Sequence, residues 1–263
     1  MNYLFVIVVV TLLFYLIINY YILLKTNYLD GIDAIYWINL QSSVDRRNAM
    51  LQMFHDIVFK GIPIERINAS DGKREDIMSK FTFTKTPNTK LEYACLLSHL
   101  NAIKTFSESK YNIALIMEDD ATLEFKPYWK QTIKQIMKSA PSDWEIIQLC
   151  YIINDNMPTH TFTKINNNLL DSTKYFSMCA YIIKKDAAKK LIQQIYLHDT
   201  HKYILHNNIK HEADIYIYSL LSSYTYKYPF FIYKTDNDSN IHDDHIEFHN
   251  KSKRKVLTLY NTI

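Results

Sequence analysis

The stretch Ala114–Thr122, ALIMEDDAT, runs four apolar residues straight into three adjacent carboxylates, Glu118, Asp119 and Asp120. Like charges this close repel, so a chain that places three of them after a buried run must hydrate or compensate them. A solvated turn does the first. A divalent cation does the second, because hard carboxylate oxygens suit Mg2+ and Mn2+. Such ions often take one or two protein carboxylates and leave their other positions to substrate phosphates. A cation held in this way neutralises phosphate charge as a leaving group departs.

Other residues extend that chemistry, each with a plainer alternative. Arg46 and Arg47 open the first helical pattern, where guanidinium forks either reach phosphate oxygens or lie in solvent. Asp71 precedes Gly72 and is either an ordinary turn residue or an acceptor for a ligand hydroxyl. Asp214, in EADIYIYSLL, either caps a helix or takes the proton of an attacking hydroxyl in a partly dry cleft. Ser98 and His99 fall inside a helical pattern, where His99 is a packing residue or a site residue. The run SNIHDDH offers His242 and Asp243 as late ligands, and an exposed polar loop explains it equally well. Cys95, Cys150 and Cys179 show no CxxC spacing and sit in apolar runs, which reads as three buried free thiols.

These residues need elements to hold them. AIYWINL (34–40), IPIERINA (62–69), NIALIM (112–117), WEIIQLC (144–150), CAYIIK (179–184) and PFFIY (229–233) read as strands rich in Ile and aromatics. SSVDRRNAMLQMFHDIV, LEYACLLSHLNAIKTF, DAAKKLIQQIY and EADIYIYSLLSS read as helices, the second with Leu96, Leu100 and Ile103 inward. Alternating strand and helix predicts an α/β domain with a mostly parallel central sheet. Ligands of such sheets bind beyond the carboxyl ends of the strands, and the triplet stands at one such end.

The first segment is of another kind. Asn2 to Leu24 carries no charged side chain, and Lys25 closes it. A helix of that length spans about 30 Å, the thickness of a bilayer core. With no basic start and no small residues at its end, it reads as an uncleaved anchor rather than a signal peptide. The chain thus divides into a transmembrane anchor (1–25), a short tether (26–34) and an α/β domain (35–263). Its side of the membrane stays open. Lys25, Arg46 and Arg47 favour a cytoplasmic domain, whereas sequons at Asn68, Asn237 and Asn250 suit a lumenal one. The net charge of +3 is too small to argue for nucleic acid as a partner.

The order INL, DRR, SDG, LSH and EDD, followed by DWEIIQL, CAYIIKKDAAKKLI, EADIYIYSLL and DSNI, closely resembles glycosyltransferase family 25 from about Ile35 to Ile241. Leu91 and Ala94 stand where that family usually has glycine, in a chain with three glycines in all. The resemblance implies a GT-A fold and inverting transfer of a hexose, galactose or glucose, from a UDP-sugar donor to a glycan or protein hydroxyl. It implies Mn2+ or Mg2+ as cofactor, with Asp120 as metal ligand and His242 as a further one. Arg46 and Arg47 would then address the pyrophosphate, Asp71 the uridine, Glu118 or Asp119 the ribose, and Asp214 would be the base. A catalytically inactive, membrane-tethered binding protein and a metal-dependent hydrolase are the rival readings.

Deleting residues 1–25 is expected to leave a soluble, folded domain, since the α/β pattern starts at Ala34. Aggregation of the truncated chain while it still binds UDP in detergent would show instead that the segment packs on the domain.

Overall fold

A computed structural model describes residues 3, 5, 7–15, 26–82, 88–153, 156–165, 175–235 and 246–261. Seven strands form its central sheet: β1 (Ala34–Asn39), β2 (Ile64–Asn68), β3 (Ile113–Glu118), β4 (Ile146–Gln148), β5 (Phe162–Lys164), β6 (Ala180–Lys184) and β7 (Ser223–Tyr226). Their order is β2-β1-β3-β6-β4-β7-β5. The helices are α1 (Val44–Met53), α2 (Lys90–Glu108), α3 (Ile133–Ser139), α4 (Lys185–Ile195), α5 (Ala213–Leu220) and α6 (Ile246–Asn261).

The sheet is covered on both faces, which is why β1 is buried along its whole length and reads as a continuous apolar run. Successive side chains alternate between two cores. Ile35, Trp37, Leu115 and Met117 join the core that also takes up Ile133, Ile136, Val256 and Leu259 of α3 and α6. Tyr36, Ile38, Ile116 and Tyr181 join the core built by α2, α4 and α5. Helix α2 starts at a complete capping box between Thr89 and Glu92. From there Leu96, Leu100 and Ile103 recur at helical spacing and are fully buried, as the sequence pattern predicts, and Phe106 is fully buried with them.

The sheet is mixed and mostly parallel in strand direction, as the alternation of strand and helix predicts. β2, β1 and β3 pair in parallel, and so do β4 and β7. β6 lies antiparallel between β3 and β4, and β5 pairs antiparallel with β7. Five strands therefore share a direction, yet half of the neighbouring pairs are antiparallel. Apolar patterning shows that Ala180–Lys184 is a buried strand but not which way it points. Two readings shift. The helix expected through Ser223 ends at Leu220, and Ser223–Tyr226 is instead an interior strand of the sheet. PFFIY contributes only the short strand Ile232–Tyr233, paired with Ala121–Thr122 outside the main sheet.

Of the apolar run 2–24, residues 7–15 are helical and exposed. No helix among the described residues is long and apolar enough to cross a membrane, and much of the run lies outside those residues.

Phe106 anchors α2 to the sheet, its ring 5.8 Å from that of Tyr36. Phe106→Ala should cost about 3–5 kcal/mol. In urea unfolding this appears as a lower midpoint with an unchanged slope.

Candidate active site

β1 and β3 run in parallel with Ile38 opposite Glu118, so Asn39 and the carboxylate triplet emerge side by side at the carboxyl ends of the strands. Strand geometry stops at Glu118, and Asp119 and Asp120 form a turn. The carboxylates consequently fan out rather than alternate. Glu118 turns to α2, where His99 Nε2 lies 3.1 Å from its Oε1. Asp119 turns to α1, accepting from Arg46 at 2.7 Å and from Asn39 Nδ2 at 2.6 Å. Asp120 lies 3.7 Å from the other Arg46 terminal nitrogen.

Asn39 is 1% exposed, and a buried amide must place both its ends. Arg66, reaching over from β2, donates its Nε to Asn39 Oδ1 at 3.0 Å and Nη2 to the Asn39 carbonyl. That contact directs the amide nitrogen toward Asp119. Neither Asn39 nor Arg66 stood out as a site residue in the sequence. The available signal was a polar Asn ending an otherwise apolar strand.

A second turn closes the site from the α2 side. The Ser70 amide donates to Ser98 Oγ at 2.9 Å, and Ser98 Oγ donates to the Ala94 carbonyl. Asp71 Oδ1 accepts from the Lys73 amide. A Cβ on Gly72 would stand 2.8 Å from Leu91 Cα, so the turn approaches α2 more closely than any side chain permits. Ser98 thus joins the SDG and LSH motifs physically.

The resulting cavity has a volume of about 300 Å³, and Asn39, Arg46, Asp71, Glu118, Asp119 and Asp120 all line it. Arg47 is not brought there. Adjacent helix residues point about 100° apart, and Arg47 instead donates to Gln41. Asp214, at the start of α5, is not among the lining residues. Its Oδ2 accepts from the Ser177 amide and its Oδ1 from the Ile215 amide, each at 2.9 Å. Ser177 takes φ +99°, a strained value for a residue other than glycine. Its carbonyl accepts from Gln148 Nε2 and the Tyr218 hydroxyl, which hold the turn in that conformation. His242 lies outside the described residues.

The three carboxylates differ electrostatically. Burial works to raise the Glu118 carboxyl, but His99 and Arg46 outweigh it and hold the group below its usual range. Burial raises Asp119 in spite of Arg46 and Asn39. Burial and the adjacent Glu118 push Asp120 to about 7. Among the described residues, Asp120 Oδ1 is buried without a hydrogen-bond partner. A buried acceptor left in this state is costly. A hard cation at Asp120 would supply both the missing partner and the missing charge, so the residues present fit a divalent metal.

The family model for glycosyltransferase family 25 (LPS biosynthesis protein) matches residues 32–203, and this chain belongs to that family. The match takes in Arg46, Asp71 and the triplet and ends before Asp214. Procollagen galactosyltransferase 2 of Homo sapiens is 27% identical over 180 residues, which are 62% of this chain and 28% of that protein. A glycosyltransferase 25 family member of Aedes aegypti is 26% identical over 178 residues, with the same two shares. The chain therefore spans less than a third of the length of these relatives. Among solved structures, a glycosyltransferase involved in the glycosylation of the major capsid of PBCV-1 aligns with 82% of this chain and 99% of its own. Its identity is 10% and its TM-score 0.38, too loose a likeness to argue from.

Arg46→Ala leaves Asp119, 6% exposed, with Asn39 as its remaining side-chain partner named above. The expected loss of stability is ~1–3 kcal/mol. Adding Asp119→Asn should recover part of it, giving a coupling of ~1 kcal/mol in a double-mutant cycle. Strictly additive losses would show that the two side chains do not support each other.

Proposed function

We propose that the domain transfers a hexose, galactose or glucose, from a UDP-sugar to a hydroxyl of a glycan or protein, with inversion. The observation that carries this reading is the site's division of labour. Arg46 and Asn39 compensate Asp119, while Asp120, which lines a cavity of about 300 Å³, keeps one buried oxygen without a hydrogen-bond partner. The family supports the donor class, and relatives named procollagen galactosyltransferase support galactose as the sugar.

In this proposal Asp120 holds Mn2+ or Mg2+, which when bound neutralises charge on the departing diphosphate. Arg46 lines the cavity and supplies a guanidinium within reach of phosphate oxygens. Asp71 and the outer lone pairs of Asp119 address the nucleoside, and their fixed partners orient them before the donor arrives. Asp214 is the base. The acceptor oxygen bonds to the anomeric carbon from the face opposite the diphosphate. The bond from that carbon to the diphosphate oxygen breaks, and the hydroxyl proton passes to Asp214. Burial raises the Asp214 carboxyl, which makes it a stronger proton acceptor than an exposed aspartate. Residues 2–24 anchor the domain to a membrane.

The test is UDP release by the detergent-purified full chain over a panel of nucleotide sugars, acceptors and metals. Asp120→Ala should remove metal-stimulated transfer, a loss of about 10²–10³-fold or ~3–4 kcal/mol. Asp119→Ala should mainly weaken donor binding. Asp214→Asn should lower the rate on the order of 10²-fold or more while UDP affinity stays within a few-fold. Full metal-stimulated activity in the Asp120 variant would sink the metal assignment. Free sugar in place of a glycoside would make the protein a hydrolase, and UDP binding without turnover would make it a binding protein.

A further inference from the structure

The transfer chemistry leaves one set of side chains unused as a group. Cys95 and His99 stand four residues apart on α2 and so share one face, and Glu118 meets them from the end of β3. His99 Nε2 is 3.1 Å and Cys95 Sγ 3.9 Å from Glu118 Oε1. One ligand atom from each of the three residues lies within 4.8 Å of the others. Zinc bonds to nitrogen, oxygen and sulfur are about 2.0–2.3 Å long, which puts neighbouring corners of its tetrahedron roughly 3.3–3.8 Å apart. Small side-chain movements therefore bring these three atoms onto three corners.

Three further features point to a cation. His99 Nδ1 is 3.3 Å from the Tyr181 hydroxyl, an outer partner that leaves Nε2 as the ligating nitrogen. Glu118, Asp214 and Asp120 surround the thiol with negative charge. Cys95, His99 and Glu118 all line the cavity, so the fourth corner opens toward the cleft, as in zinc sites that exchange a ligand.

We propose that Cys95, His99 and Glu118 form a site for a thiophilic divalent cation of the Zn2+ class, separate from the hard-cation position at Asp120. The alternative is a buried His99–Glu118 hydrogen bond with Cys95 packed beside it. On binding, the S–H bond of Cys95 breaks, a metal–sulfur bond forms, and the proton leaves to solvent.

The experiment uses the full chain in detergent, stripped of metal, then titrated with Zn2+ against a chromophoric chelator and with Co2+ as a spectroscopic probe. The expected result is one tight Zn2+ site per chain and a thiolate-to-cobalt absorption band. Cys95→Ser should abolish the band and weaken Zn2+ binding at least tenfold, whereas Asp120→Ala should keep the band. Zn2+ should also protect Cys95 of the unmodified protein from alkylation, read by peptide mass, which needs no variant to fold. Absence of a thiolate band, its survival in Cys95→Ser, or alkylation of Cys95 unaffected by Zn2+ would each overturn the site. No sugar nucleotide enters these measurements, so their failure leaves the proposed transfer standing, and failure of transfer leaves the metal site standing.

Discussion

Burial of Asp119 is the constraint around which the rest of this site is arranged. A carboxylate at 6% exposure is held by a guanidinium from α1 and an amide from the end of β1. That amide is in turn oriented by Arg66 of β2. Each partner comes from a different element, so parallel pairing of β2, β1 and β3 must be in register before the carboxylate is satisfied. A shift of one residue would turn every side chain to the opposite face of the sheet and separate Asn39 from Asp119.

Helix α2 has the complementary task. Its buried face fixes it to the sheet, and its first three turns present Leu91, Ala94, Cys95, Ser98 and His99 to the cavity. Leu91 and Ala94 keep their side chains here because the close approach is made by Gly72 on the facing turn. There the backbone of the turn meets Leu91 directly. In a chain with three glycines, one is spent where steric exclusion leaves no choice.

The far side of the site depends on strain. Ser177 sits in the left-handed region with its amide, carbonyl and hydroxyl all engaged, by Asp214, by Gln148 and Tyr218, and by the Cys179 amide. Cys179 then passes its carbonyl to the Glu118 amide. The turn before β6 is thus coupled by hydrogen bonds to the first carboxylate of the triplet, and Asp214 belongs to that chain of contacts whatever else it does.

Much of this was legible in the sequence because it rests on local pattern. Apolar runs gave β1, β3 and β6, helical spacing gave the buried face of α2, and the position of EDD after ALIM put three carboxylates at a strand end. What the pattern lacks is direction and partnership. The antiparallel β6 and the interior strand at Ser223–Tyr226 follow from chain connectivity in three dimensions, which apolar periodicity does not encode. Arg46 and Arg47 are equivalent in the sequence, and the rotation of α1 alone gives the cavity to Arg46. Asn39 and Arg66 read as unremarkable polar residues until β1, β2 and β3 are laid side by side. Sequence position fixed which groups are charged, whereas tertiary packing decided which charges are compensated and by whom, Asp119 by Arg46 and Asn39 and Glu118 by His99.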